Sequence, residues 1–237
     1  MNRTLILAFW RQRLMSPFRM AFLLFIVGIP MLITLAVPQT GFAIAGKLTG
    51  IALVFSIGLI GQDLSSGVLQ LLFARPVRRW EYVMSRWFAA GSISALVGMA
   101  QAAMIALIMV LRGAAPGVSE ALVFIAERAF EGFGIAAVFV LLSSLVSGVG
   151  DVALWIGVQF VCGIGSMVAQ AKNWTLAARL IGEAQAAMNP NLPLAQIING
   201  LAPWAPASAY LSVVAVSLTL AVILMNRREL SYASSNT

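Results

Sequence analysis

Six stretches of this sequence, each near the length that crosses a bilayer, constrain its fold more than any other feature. They run approximately Met20–Val37, Phe42–Ile60, Trp87–Leu111, Ala121–Val146, Val152–Ala169 and Ala207–Met225. A helical crossing takes about 20 mainly apolar residues. The chain is 61% hydrophobic and 10% charged, whereas soluble domains are roughly 45–50% apolar and about 25% charged. A water-facing globule of 237 residues cannot bury that much apolar surface, so the solvent is a bilayer. Backbone groups in hydrocarbon must be paired internally, and the ~10-residue dyad alternation of a barrel is absent, so the runs are read as helices. The predicted fold class is an all-α polytopic membrane protein with six transmembrane helices, in a single transmembrane domain spanning 1–237.

The charges sort by side. Six spans put both termini together, with Arg3, Arg11, Arg13, Arg19, Arg75, Arg78, Arg79, Arg86, Arg227 and Arg228. The other side carries Lys47, Arg112, Lys172 and Arg179, while Arg128 lies within a helix. The positive-inside rule places both termini and the 61–86 segment in the cytoplasm. The net charge of +7 thus marks orientation and contact with anionic membrane lipids, and no nucleic-acid partner is expected. Arginines interrupt the first 19 residues, which argues against a cleaved signal peptide. Residues 1–19 read instead as an interfacial helix, with Leu5, Ile6, Phe9 and Trp10 toward lipid and Arg3, Arg11 and Arg13 toward headgroups. A plain basic tail is the simpler alternative. The single Cys162 lies mid-span and says nothing of redox compartment.

Two connections are longer than connection requires. The external segment 170–206 divides at Asn189-Pro190-Asn191-Leu192-Pro193. Apolar Leu176, Ala177, Leu180, Ile181 and Ala184 recur at helical spacing before it, and Leu194–Asn199 makes a second short turn after it. Two short external interfacial helices between spans five and six are predicted. The third span carries Ser94, Gly98, Ala102 and Ala106 four residues apart, a small-residue stripe for close helix packing or a subunit seam. Gln101 and Gln159, both mid-span, are expected to hydrogen-bond between helices. Glu127 and Glu131 share a face of the fourth span with Arg128 beside them. Ionisable groups in a span are costly and suggest a gate or vestibule; alternatively the helix simply runs long at the outer interface.

Two motifs mislead. Gly41-x-x-x-x-Gly46-Lys47 approaches a phosphate-binding loop, but Leu48 stands where Ser or Thr is required and no strand precedes it. Gly148-Val149-Gly150-Asp151 resembles the G-x-G-D of membrane aspartyl peptidases, which need a second carboxylate; Asp63 is the only other aspartate. Asp151 reads more simply as a helix cap in a tight turn. With no histidine in the chain, Ser-His proteolysis and His-ligated metal chemistry are excluded.

The segment Gly61–Arg86 is a polar, basic island between apolar runs. Leu64 to Phe73 is amphipathic, with Leu64, Val68, Leu71 and Leu72 at helical spacing, and Pro76 ends the pattern. Asp63, Gly67, Leu69, Leu71, Leu72, Pro76, Val77, Arg78, Arg79 and Tyr82, followed by Ser85-Arg86, resemble the permease subunits of type-2 ATP-binding cassette transporters. Leu141-Leu142-Ser143-Ser144 and Asn226-Arg227-Arg228-Glu229-Leu230 extend the resemblance over nearly the whole chain. Asp63 stands where Glu is usual and Ser85-Arg86 where Gly-Lys is usual.

The resemblance implies a non-catalytic membrane subunit of an exporter in the cytoplasmic (inner) membrane of a prokaryote. Its cytoplasmic coupling helix between spans two and three would dock in a groove on a separate ATPase subunit. Asp63, Leu64, Gly67, Val68, Leu71, Leu72, Arg75, Pro76, Arg78, Arg79 and Arg86 are the expected coupling residues. Arg75, Arg78 and Arg79 would pair with acidic ATPase or lipid groups. Two ATPase copies and a second permease copy are implied, with ATP and Mg on the ATPase and no cofactor on this chain. Few polar side chains in the spans favour a hydrophobic or amphipathic cargo. The alternatives are an aspartyl peptidase built on Asp63 and Asp151, and a non-transporting scaffold or immunity protein.

Overall fold

The computed structural model describes residues 3–45, 50–69, 78–200 and 204–227. Among these the chain is all-helical, without strands. Helix α1 (Arg3–Leu14) leads into α2 (Pro17–Ala36), followed by a 3₁₀ turn at Pro38–Thr40, α3 (Gly41–Ala45), α4 (Gly50–Ser56) and α5 (Gly61–Ser65). Then come α6 (Arg79–Leu111), α7 (Val118–Leu145), α8 (Gly150–Ala171), α9 (Thr175–Met188), α10 (Leu194–Ile198) and α11 (Ala205–Arg227).

Five helical stretches are long and apolar enough to cross a membrane: Pro17–Ala36, Pro38–Ser65, Arg79–Leu111, Gly150–Ala171 and Ala205–Arg227. Large apolar side chains on their outer faces, such as Leu24, Phe25, Leu107, Phe160 and Leu211, are exposed. Such a surface suits hydrocarbon rather than water. The remaining predicted span, 121–146, is also helical but is not among the five. Helix α7 carries Glu120, Glu127, Arg128 and Glu131 in its first half, and neighbours bury most of its second half. It forms the centre of the bundle, with α6 along one side and α11 along another.

Close approach of α6 and α7 follows from small residues. A Cβ added to Gly132 would lie 2.8 Å from the Ala95 nitrogen, and one on Gly98 would lie 3.4 Å from Arg128 Cβ. The Ser94–Gly98–Ala102 stripe is therefore buried within this chain; it packs α6 on α7 and leaves little surface for a subunit seam. On the opposite side of α7, the Tyr210 hydroxyl of α11 donates to the Phe130 carbonyl at 2.7 Å.

Helix α2 contains Pro30 in its interior. Proline lacks the N–H that would bond the carbonyl four residues back, here Ile26. Gln101 of α6 fills that vacancy, its Nε2 donating to the Ile26 and Val27 carbonyls at 3.3 Å each. The expected interhelical role of Gln101 is present. Gln159 differs, since its buried Nε2 has no partner among the described residues.

Two short helices form between α8 and α11 where they were predicted, as α9 and α10. The N-terminal helix forms too, but Phe9, Trp10 and Arg13 face the protein rather than lipid or headgroups; the side chains of Arg3 and Leu5 lie outside those described. Phe9 is 1% exposed and sits in the main core cluster. The Trp10 indole N–H donates to the Ala89 carbonyl at 3.0 Å, and Arg13 is buried. Arg11 stays outside as expected, and Leu7 points away from the bundle. Aromatic bulk found a protein groove on α6, and Arg13 found carbonyls that lipid cannot offer.

Candidate functional site

The stretch predicted as one span over 42–60 is interrupted between α4 and α5. At Gly58 the backbone turns left-handed, φ +64°, which a residue without Cβ adopts without strain. Breaking a helix inside an apolar bundle frees N–H and C=O groups that must be paired elsewhere. Three distant elements supply the partners. Asp151 of α8 accepts the Gly58 N–H at 2.7 Å. Ser143 of α7 accepts those of Ile60 and Gly61 through one hydroxyl, at 2.9 and 2.8 Å, and also bonds Asp151. Arg13 of α1 donates to the Ile57 carbonyl, and to that of Gly58 at 2.9 Å.

The Gly148 N–H, in the turn between α7 and α8, donates to the Gly61 carbonyl at 2.7 Å. A Cβ at Gly61 would run into the Gly148 and Val146 carbonyls. This break is therefore fixed by α1, α7 and α8 together. Asp151 meets the expected capping role in part: Val149 flanks α8 without a side-chain cap, while Asp151, in the first turn, accepts the Val152 N–H at 2.9 Å. Its carboxylate is drawn across to the break because Gly58 offers an N–H with no other partner.

One turn further, α5 presents Asp63 to α6. Asp63 is 8% exposed and forms an ion pair with Arg86. The Tyr82 hydroxyl donates to the same carboxylate oxygen at 2.5 Å. The Arg86 guanidinium lies 5.1 Å from the Phe9 ring and 5.2 Å from the Tyr82 ring, and Arg13 lies 4.8 Å from Phe9 on its own account. Phe9 thus serves two buried cations through cation–π contact. Asp63 and Arg86, two of the three positions that depart from the resembled pattern, are each other's partners. A shorter carboxylate arm is met by a longer guanidinium reach.

The residues between these anchors answer only partly to expectation. The amphipathic piece 64–73 is not one continuous helix: α5 ends at Ser65, Gly67 turns left-handed with φ +71°, and Val68 and Leu69 are again helical. Leu64 is turned inward onto the core, Leu69 is buried and Val68 is exposed. Leu71, Leu72, Arg75 and Pro76 lie outside the described residues. Arg78 is exposed and flanks α6 in extended conformation. Arg79, one of the expected coupling residues, donates to the Met225 and Asn226 carbonyls at 2.7 and 3.0 Å. It caps the end of α11, where a cation meets unpaired carbonyls and the negative end of the helix dipole.

The proposed vestibule residues also separate. Arg128 and Glu131 pair at 2.5 Å one turn apart on α7, both nearly buried. The Arg128 guanidinium also donates to the Ala45 carbonyl at 3.4 Å and lies 5.1 Å from the Phe124 ring. Glu127 faces another way and accepts the Ala195 N–H at the start of α10, 3.2 Å away. It borders an open cavity of about 360 Å³ between α3, α7 and α10. The two glutamates, expected on one face, are divided between a buried ion pair and the start of α10.

Asp63 and Asp151 are engaged by different groups, the first by Arg86 and Tyr82, the second by Gly58 and Ser143. An acid–base carboxylate pair instead shares a proton at close range. Among the described residues, no group of three or more His, Cys, Asp and Glu side chains is placed to hold a metal ion. Sequence reasoning missed Arg13, Gly58 and Ser143 as a unit. The available signal was Gly58 and Gly61 interrupting an apolar run, which asks where the freed backbone groups go. No protein-family model matches the chain, and no curated protein matches it.

Proposed function

We propose that this chain is the transmembrane permease subunit of an ATP-binding cassette exporter, driven by ATP that a separate ATPase subunit hydrolyses. The observation that carries the reading is the buried bracket Asp63–Arg86–Tyr82. It ties Asp63 on α5, before the basic segment, to Tyr82 and Arg86 on α6, after it. Force applied to the segment between these anchors would pass through the tie into α6 and the broken second span. A chain that only rests in lipid has no need of such a tie, which costs the burial of two charges.

In this reading there are six spans, α7 being the central one, and both termini lie in the cytoplasm by the positive-inside rule. Leu71, Leu72, Arg75, Pro76 and Arg78 meet the ATPase, while Leu64, Gly67, Val68 and Arg79 shape and anchor the segment from the permease side. Two ATPases, carrying ATP and Mg, act on two permease copies. The apolar spans favour a hydrophobic or amphipathic cargo over a small ion.

The test is co-purification. With its ATPase retained in mild detergent, Leu71→Asp/Leu72→Asp is expected to abolish recovery of a Walker-type ATPase from the native membrane. Undiminished recovery would place the docking surface elsewhere.

A further inference from the structure

We propose that the groove between the start of α2 and the break at 57–60 binds one anionic phospholipid, its phosphate on Arg19 and an acyl chain along the phenylalanine face of α2. A cavity of about 300 Å³ lies there, bounded by Phe18, Arg19 and Phe22 on α2, Ile57 and Gln62 at the break, and Val149 in the turn before α8. The site rests on residence in a membrane and not on the transport reading.

Charge decides what the groove takes. Arg19 Nη2 donates to Gln62 Oε1 at 3.3 Å, but its Nη1 is buried without a hydrogen-bond partner among the described residues. A cationic donor left in that state is costly. Asp151 is the carboxylate that attracts Arg19 through space, yet its oxygens are already taken by the Gly58 and Val152 N–H groups at 2.7 and 2.9 Å. A phosphate oxygen supplies the missing acceptor with a charge-assisted bond. The apolar part of the occupant is set by spacing. Phe18, Phe22 and Phe25 recur at i, i+4 and i+7 on one face of α2, and all three are exposed, forming a track for a chain from the phosphate toward mid-membrane. Free phosphate would leave that track unused, and a neutral diacylglycerol would leave Nη1 unpaired.

Such a lipid would stand against Ile57, whose carbonyl Arg13 holds, so its binding bears directly on the broken span. Native mass spectrometry of the full chain in delipidating detergent tests the site. Titration with phosphatidylglycerol is expected to show one tightly held molecule per chain, with phosphatidylcholine and diacylglycerol at least about tenfold weaker. Arg19→Gln should weaken phosphatidylglycerol about tenfold. Phe18→Ser, at a side chain 81% exposed whose loss cannot disturb the core, should weaken it about threefold with unchanged lipid-free unfolding temperature. Should Arg19→Gln not fold, Phe18→Ser alone decides. Wild-type affinity in the variants, equal binding of diacylglycerol or phosphatidylcholine, or displacement by millimolar inorganic phosphate would overturn the proposal.

Discussion

Among the described residues, two buried arginine–carboxylate pairs stand in this bundle, and they do different work. Asp63–Arg86 joins two helices on either side of the basic segment and is surrounded by Tyr82 and Phe9. Arg128–Glu131 closes within one turn of one helix and borders a small polar recess with Ser94 and Gln101. The first fixes how elements meet; the second neutralises charges that α7 brings into the interior. A pair between elements transmits position, whereas a pair within a turn leaves the bundle's arrangement to packing.

Separating the two roles calls for removal of one partner at a time. Asp63→Ala strands Arg86 in a buried site and is expected to cost about 3–5 kcal/mol, read from unfolding of the purified protein in mixed micelles. Asp63→Leu with Arg86→Met should recover most of that loss while uncoupling the segment from α6. A single-variant cost below about 1 kcal/mol would mean that the bracket is not a structural tie.

Glu131→Gln keeps shape and a hydrogen-bond acceptor within the same turn. Its expected cost is smaller, about 1–2 kcal/mol, with no effect on ATPase recovery. A loss matching that of Asp63→Ala would erase the contrast between the pairs. Smallest is Gln101→Leu, which removes one neutral donor from the Ile26 and Val27 carbonyls for about 1 kcal/mol. It sharpens the contrast by measuring what a single uncharged tie between helices contributes here.

The helices were legible because their cause is local: apolar runs of bilayer length, with Pro and Gly at their ends. Helices α9 and α10 were equally readable from the spacing of Leu176, Leu180 and Ile181 and from the prolines between them. The side chains that matter most at the break were not. Arg13 looks like a headgroup ligand in any hydrophobicity pattern, and only the fold brings it to the carbonyls of Ile57 and Gly58. Asp151 was legible only as a cap, because its second use depends on Gly58, 93 positions away. Likewise Glu127 and Glu131 share a helical face by spacing, but α10 and Arg128 divide them. Long-range satisfaction of backbone groups overrode local periodicity in each case.

The central claim is that this polypeptide is moved by an engine it does not contain. The most direct measurement is vanadate-sensitive ATP hydrolysis by the complex purified from its native membrane through this chain, in mild detergent. The account predicts that such activity co-elutes with the wild-type chain and is lost with Leu71→Asp/Leu72→Asp. Transport by the chain alone in vesicles, with no nucleotide-hydrolysing subunit present, would contradict it.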